Sequence, residues 1–273
     1  MTIPTITLNN GVAMPQLGFG VFQVPNDETE AAVTAALEAG YRSIDTAAVY
    51  GNEAGVGHAL AKSGIAREEL FITTKLWSSD HERPVEAYEK SLELLGLDHV
   101  DLYLIHWPTP ARDLYLGAWQ GLEELYAAGR VRAIGVSNFL PEHLDRIVAL
   151  GGTVPAVNQI ELHPALQQRA TVAANDGLGI ATEAWSPLAQ GAMLQEPVIT
   201  TVADRLGRTP AQVILRWHLQ QGRIVIPKSV TPARIAQNLD VLGFDLADAD
   251  LAAIDALESE GRTGPDPATF NAA

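Results

Sequence analysis

The feature of this sequence that most constrains its fold is a regular alternation of short β-rich runs with longer segments of helical period. Such alternation is typical of a parallel sheet whose strands are connected by helices. Eight strand–helix units in 273 residues predict a closed (β/α)8 TIM barrel, a fold of about 250 residues; an open doubly wound sheet is the alternative. The predicted strands are 18–20, 43–45, 71–75, 100–105, 131–136, 156–160, 180–183 and 224–226.

Three segments fall outside the eightfold pattern. An N-terminal β-hairpin is predicted over 5–8 and 12–14, because Asn9, Asn10 and Gly11 form a typical hairpin turn. An extra C-terminal helix is predicted over 247–257, followed by a tail rich in Gly and Pro from Gly261. The chain has no low-complexity linker and no break in composition, so we expect a single domain over 1–273.

Composition excludes several functions. The chain has no cysteine, which rules out disulfides and cysteine-ligated metals, and its formal charge is −15 (18 basic against 33 acidic residues). Non-specific binding to nucleic acid requires a basic surface, so nucleic acid is not an expected partner. Residues 1–10 do not resemble a targeting segment, and no apolar run reaches the ~18 residues of a membrane span. We therefore expect a cytoplasmic protein that does not bind membranes.

Motifs for other chemistries are incomplete. The pair Gly18 and Gly20 lacks the third glycine of a dinucleotide fingerprint, because position 23 is Gln. The seven histidines include no His-Glu-x-x-His motif, so no metal site is predicted.

Polar residues end most of the predicted strands, and the carboxyl ends of barrel strands carry the active site in this architecture. These residues are Asp45, Lys75, His106, Ser137, Asn138, Gln159, Glu183, Ser186, Lys228 and Ser229.

Asp45, Lys75 and His106, together with Tyr50, suggest acid catalysis. Each residue alone is readily explained by packing, capping or solvation, but together they follow three consecutive strands. A nearby ammonium group lowers the pKa of a phenol, and a carboxylate holds that ammonium charged. Tyr50 thus becomes a candidate proton donor to a carbonyl oxygen, with Lys75 and Asp45 beside it and His106 orienting the same oxygen. These groups supply no electrons, so a hydride must come from a cofactor.

Six motifs are shared with a known family: GYRSIDTAAVYG (40–51), ITTK (72–75), DLYLIHWP (101–108), GVSNF (135–139), NQIELHP (158–164) and IPKS (226–229). Through these motifs the chain resembles the aldo-keto reductases along nearly its whole length, and it is most similar to the bacterial 2,5-diketo-D-gluconate reductase branch. The resemblance implies a monomeric NADPH-dependent reductase of aldehydes and ketones, such as α-dicarbonyls or keto-sugars. It identifies Asp45, Tyr50, Lys75 and His106 as the catalytic tetrad.

The resemblance also implies where the ligands bind. Phe22, Trp77, His106 and Trp107 would line the substrate mouth. The residues implied to bind the cofactor are Gly20, Val21, Ser137, Asn138, Gln159, Trp185, Ser186, Leu188, Gln190, Lys228, Ser229, Val230, Thr231, Arg234, Gln237 and Asn238.

The segment from Lys228 to Asn238 also fits phosphate on its own chemistry. Pro232 begins a predicted helix, and a helix N-terminus flanked by Lys228 and Arg234 attracts anions. This local positive charge favours the 2′-phosphate of NADPH over NADH. Two other functions stay open at this stage: a non-catalytic NADPH-binding sensor or regulatory subunit, and a metal-dependent barrel hydrolase.

Overall fold

The computed structural model describes residues 3–272, and its centre is a ring of parallel strands surrounded by helices. In the described part of the chain, ten strands form an antiparallel pair and a parallel sheet of eight, in which β3 to β10 pair in chain order. They are β1 (Thr5–Thr7), β2 (Ala13–Pro15), β3 (Phe19–Gly20), β4 (Ser43–Asp45), β5 (Phe71–Leu76), β6 (Leu102–Ile105), β7 (Ala133–Ser137), β8 (Val157–Glu161), β9 (Ala181–Trp185) and β10 (Ile224–Val225).

The sheet closes on itself between its first and last strands. Leu17 forms a parallel bridge with Val225, the Gly18 amide donates to the Val225 carbonyl at 2.8 Å, and the Val225 amide donates to the Gln16 carbonyl at 3.0 Å. Gly20 allows this approach, because a Cβ there would lie 3.0 Å from the Ile226 carbonyl oxygen. The predicted (β/α)8 barrel is confirmed, and the open-sheet alternative is wrong.

The helices begin and end at residues with clear local reasons. Proline is the first residue of five of them, where its missing N–H costs nothing. Gly40 ends α1 in the left-handed conformation. The helices are α1 (Asn26–Ala39), α2 (Glu53–Lys62), α3 (Pro84–Leu95), α4 (Tyr115–Ala127), α5 (Pro141–Val148), α6 (Arg169–Leu178), α7 (Pro197–Leu206), α8 (Pro210–Gln220), α9 (Pro232–Leu239) and α10 (Asp248–Asp255).

Strand alternation sorts side chains between the barrel interior and the outer layer of helices. On β6, Leu102 and Leu104 pack inside with Met14 of the hairpin, whereas Tyr103 and Ile105 belong to the core outside the ring. The N-terminal β-hairpin therefore closes the amino-terminal end of the barrel, and the carboxyl end stays available for a site.

The predicted boundaries differ from the observed ones by a few residues. The extra helix α10 is present but is shorter than the predicted 247–257, because the chain turns after it and Ser259 and Gly261 donate their amides to Ala165. The 3-10 turns at Ala48–Tyr50 and Ala189–Gln195 were not predicted. Within residues 3–272, no helix is long and apolar enough to cross a membrane, and no cluster of His, Asp or Glu has the arrangement of a metal site.

Candidate active site

A buried ion pair occupies the carboxyl end of the barrel. Asp45 ends β4 and Lys75 lies near the end of β5, so the parallel register brings them together. The Lys75 ammonium, which is 0% exposed, donates to Asp45 Oδ1 at 2.6 Å and to the Thr46 carbonyl at 2.8 Å. Its third polar neighbour is Tyr50 Oη at 3.4 Å. The three groups predicted from the sequence thus form one connected cluster.

Competing effects set the protonation of this cluster. Burial alone would lower the pKa of Lys75, but Asp45, Tyr50 and Glu183 raise it above its ordinary value, so the group stays an ammonium. Burial raises the pKa of Tyr50, and the field of Lys75 only partly opposes this. The sequence predicted a lowered pKa for Tyr50, and that expectation was wrong in net direction. Tyr50 is therefore fully protonated near neutral pH.

His106 follows β6 and is the fourth residue of the predicted tetrad. Its ring centroid lies 5.6 Å from that of Tyr50 and 5.3 Å from that of Trp77. Burial and the Lys75 charge hold the pKa of His106 well below its ordinary value, so the imidazole is neutral. A neutral imidazole beside the phenol can donate one hydrogen bond to an oxygen without competing for the proton.

Four of the residues that the resemblance implies to bind the cofactor, Ser137, Asn138, Gln159 and Trp185, lie on or directly after three adjacent strands. Asn138 adopts a left-handed backbone (φ 64°), and its Nδ2 donates to the His106 carbonyl at 3.0 Å. Trp185 Nε1 donates to Asn138 Oδ1 at 2.8 Å, which fixes the indole ring at the end of β9. Ser137 and Gln159 lie side by side in the β7–β8 register. These contacts give the site a partly exposed aromatic ring with amide groups beside it.

The loop after β9 has an unusual backbone. Ser186, Ala189 and Gln190 have φ values of 47°, 49° and 53°, which non-glycine residues rarely adopt. Such strain is commonly found at ligand-binding segments. Gln190, at the exposed end of the loop, donates to Thr263 Oγ1, while Leu188 packs against the core.

The predicted phosphate segment lies at the N-terminus of α9. Lys228, Thr231 and Arg234 are exposed, and neither basic side chain forms an ion pair within residues 3–272. Thr231 makes no side-chain cap, Pro232 has no N–H, and the Arg234 amide donates to the Thr231 carbonyl at 2.9 Å, so within residues 3–272 the Ala233 amide is the first-turn donor left for an anion. Of the remaining predicted residues, Ser229, Val230, Gln237 and the buried Asn238 belong to the same segment. The buried Gly20 ends β3 beside it, where its amide donates to the Pro227 carbonyl at 3.2 Å, and the buried Val21 follows.

The mouth of the site is aromatic. Phe22 is 50% exposed, and its ring centroid lies 5.1 Å from that of Tyr50. Trp107 is only 6% exposed, because Phe270 of the C-terminal tail packs on it with the two ring centroids 4.4 Å apart. The ring centroids of Phe270 and Trp77 are 6.3 Å apart. The sequence predicted both tryptophans at the mouth but gave no sign that Phe270 joins them.

The tail is held by a buried carboxylate that sequence reasoning missed. Glu161, the last residue of β8, accepts hydrogen bonds from the Thr263 amide (2.7 Å), Thr263 Oγ1 (2.5 Å) and the Gly264 amide (3.1 Å). His163 Nε2 lies 3.1 Å from the same carboxylate. A Cβ on Gly264 would lie 2.4 Å from Trp185, so the tail touches the indole directly.

The chain is similar to known reductases over its full length. The sequence model described as "Aldo/keto reductase family" matches residues 16–259. An "Aldo-keto reductase" of Mycolicibacterium smegmatis is 54% identical over 270 residues, which is 98% of both chains. "Methylglyoxal reductase DkgA" of Escherichia coli K12 is 54% identical over 99% of both chains. A crystal structure of a Gox0644 mutant in complex with NADPH has a TM-score of 0.95, with 48% identity and 99% coverage of both chains.

Proposed function

This chain belongs to the aldo/keto reductase family, and from that premise we propose that it reduces the carbonyl group of aldehydes and ketones with NADPH, using Tyr50 as the general acid. The observation that carries the proposal is the contact of Tyr50 with the fully buried Lys75–Asp45 pair. The methylglyoxal reductase relatives and the NADPH complex of Gox0644 support the NADPH-dependent carbonyl reduction in this proposal. α-Dicarbonyls and keto-sugars are the proposed substrate class.

The residues fit NADPH at three places along the site. Lys228 and Arg234, which have no ionic partner within residues 3–272, would hold the 2′-phosphate at the start of α9. Ser137, Asn138 and Gln159 would bond the nicotinamide carboxamide, and the partly exposed Trp185 indole would support the nicotinamide ring. When bound, NADPH supplies a hydride to the carbonyl carbon.

The tetrad neutralises the negative charge that develops on the carbonyl oxygen during hydride transfer. Tyr50 gives its proton to that oxygen, and the Lys75 ammonium stabilises the phenolate that is left. Asp45 keeps Lys75 charged and directed at the phenol. His106, neutral and buried, donates a hydrogen bond to the same oxygen and so orients the carbonyl. The phenolate recovers its proton from solvent before the next turnover.

The proposal is tested by Tyr50→Phe, which removes the proton and keeps the ring. NADPH binding, followed by fluorescence titration, should stay within about twofold, and kcat with methylglyoxal should fall by at least about 100-fold. Wild-type turnover by this variant contradicts the assignment of Tyr50. Tight NADPH binding without turnover of any aldehyde, α-dicarbonyl or keto-sugar would instead favour the sensor or regulatory alternative.

Domain organisation, oligomeric state and location in the cell complete the proposed function. We propose one barrel domain over 1–273 that acts as a monomer, as the family resemblance implies, and is located in the cytoplasm, as expected from a sequence in which no targeting segment was recognised. Size-exclusion chromatography with light scattering tests the monomer, and cell fractionation tests the compartment.

A further inference from the structure

A second carboxyl group lies inside the barrel beneath the tetrad. Glu183 is the middle residue of β9, and its neighbours Thr182 and Ala184 contact the outer layer, so Glu183 points inward. Gln159 Nε2 donates to Glu183 Oε2 at 2.9 Å and to Asp45 Oδ2 at 2.8 Å. One amide nitrogen therefore bridges both acids, and Asp45 uses its other oxygen for Lys75.

The surroundings of Glu183 do not suit a second negative charge. Its side chain is completely buried, and its Oε1 has no hydrogen-bond partner within residues 3–272. The titratable groups facing it are Asp45 on β4, Lys75 on β5 and Tyr50 in the loop after β4. The paired strands β8 and β10 add only the Gln159 amide and the apolar Ile224.

The single cation in this group is already bonded to Asp45. Burial, and then the charge of Asp45, raise the pKa of Glu183 to about 8. A neutral acid removes the cost of an unpaired buried carboxylate and still accepts the hydrogen bond from Gln159.

We propose that Glu183 is a positioning residue for carbonyl reduction, which as the neutral acid holds Gln159 and, through Gln159, the Asp45 carboxylate against Lys75. The inference rests on the proposed function. Loss of the Glu183 proton adds a negative charge near Tyr50, and that charge makes the phenol a weaker acid. The ionisation of Glu183 thus sets the alkaline limit of the reduction, separately from the tetrad itself.

The protonation state is tested on the ligand-free protein by infrared difference spectroscopy. Wild type minus Glu183→Gln should show the carbonyl band of a protonated carboxylic acid at about pH 6 and lose it at about pH 10. This measurement needs no turnover, so it judges the state of Glu183 even if the proposed function fails. Absence of the band at about pH 6 overturns the inference.

The positioning role is tested by pH profiles of kcat/KM with NADPH and methylglyoxal. Glu183→Gln should stay within about threefold of wild type at pH ~6 and lack the decline, about tenfold, that wild type shows by pH ~9.5. Glu53→Gln is the matched control, because Glu53 is also a buried acid of raised pKa but bonds Thr74 rather than Gln159. The control should keep the wild-type decline, and a Glu183→Gln profile that follows wild type overturns the inference.

The hydrogen bond is separated from the charge by Glu183→Leu, which keeps the volume and removes the acceptor. Its kcat should be about tenfold below that of Glu183→Gln at every pH, the loss expected for one hydrogen bond. Equal kcat values for the two variants would show that Gln159 does not depend on residue 183, and would overturn the positioning role. Thermal unfolding of both variants confirms that each is folded before the profiles are compared.

Discussion

Replacing Glu161 by Gln should release the C-terminal tail from the barrel. The carboxylate accepts bonds from three groups of Thr263 and Gly264 as well as from His163, and an amide retains only one of its two acceptor oxygens. The new NH2 group faces donors rather than acceptors. Losing one or two charge-assisted hydrogen bonds costs about 2–4 kcal/mol of tail attachment, which is about 30- to 1,000-fold in the opening equilibrium.

Amide hydrogen exchange measures this opening directly, because the Thr263 and Gly264 amides themselves donate to Glu161. Their protection should fall by about 30- to 1,000-fold in the variant. Glu258→Gln is the control, since that carboxylate accepts from the amides of Gln167 and Glu260 instead. Unchanged protection at 263 and 264 in Glu161→Gln would refute the reasoning and assign the attachment to other tail contacts.

Lowering the pH should release the C-terminal tail of the wild-type protein, as Glu161→Gln does, because it protonates the Glu161 carboxylate. Burial alone would raise the pKa of Glu161, but hydrogen bonds from His163 and Thr263 lower it below its ordinary value of 4.5. A carboxyl group of lowered pKa stabilises the folded state above its unfolded pKa, and this contribution is lost as the pH falls through the folded pKa. The protection factors of the Thr263 and Gly264 amides, taken relative to the intrinsic exchange rate at each pH, should therefore fall only below pH 4.5, and Glu161→Gln should show no such step.

Three further substitutions test other contacts. Arg234→Ala should weaken NADPH binding by about 10- to 100-fold and NADH binding by less than about twofold, because only NADPH carries the 2′-phosphate; equal weakening in a fluorescence titration would exclude that contact. Lys75→Met should lower the free energy of unfolding by about 3–5 kcal/mol, since it leaves Asp45 buried without its cation; urea denaturation measures this, and an unchanged midpoint would contradict the ion-pair argument. Gly264→Val should raise the Kd of NADPH, because its Cβ would displace the Trp185 ring; unchanged binding and unchanged tryptophan fluorescence would show that the ring tolerates the contact.

The sequence predicts the parts of this molecule that depend on local pattern. Strand alternation and the repeated strand–helix unit identify the barrel, and the rule that strand ends converge places Asp45, Lys75 and His106 at one end. The hairpin follows from its turn residues.

Contacts between segments that are far apart in the sequence could not be predicted from local pattern. Glu161 and Thr263 lie 102 residues apart, and nothing in the tail has a period that would reveal their contact. The raised pKa of Tyr50 could not be predicted from the sequence either. The strand order indicates which charges lie near the phenol, but it does not give the extent of burial, which is the largest cause of the shift. Glu183 was recognisable in principle: an acid at the inward position of a buried strand is a signal, and we assigned it no role from the sequence.

The closure between β3 and β10 has a consequence for how the molecule acquires its native state. Each of these strands has only two residues, and the bridge that joins them links Leu17 to Val225 across most of the chain. Contacts of such large sequence separation carry a high entropic cost before they form, so closure belongs to the last stage of folding. A nascent chain therefore has no complete ring until its final strand has emerged, and premature release from the ribosome would leave two open sheet edges exposed to aggregation.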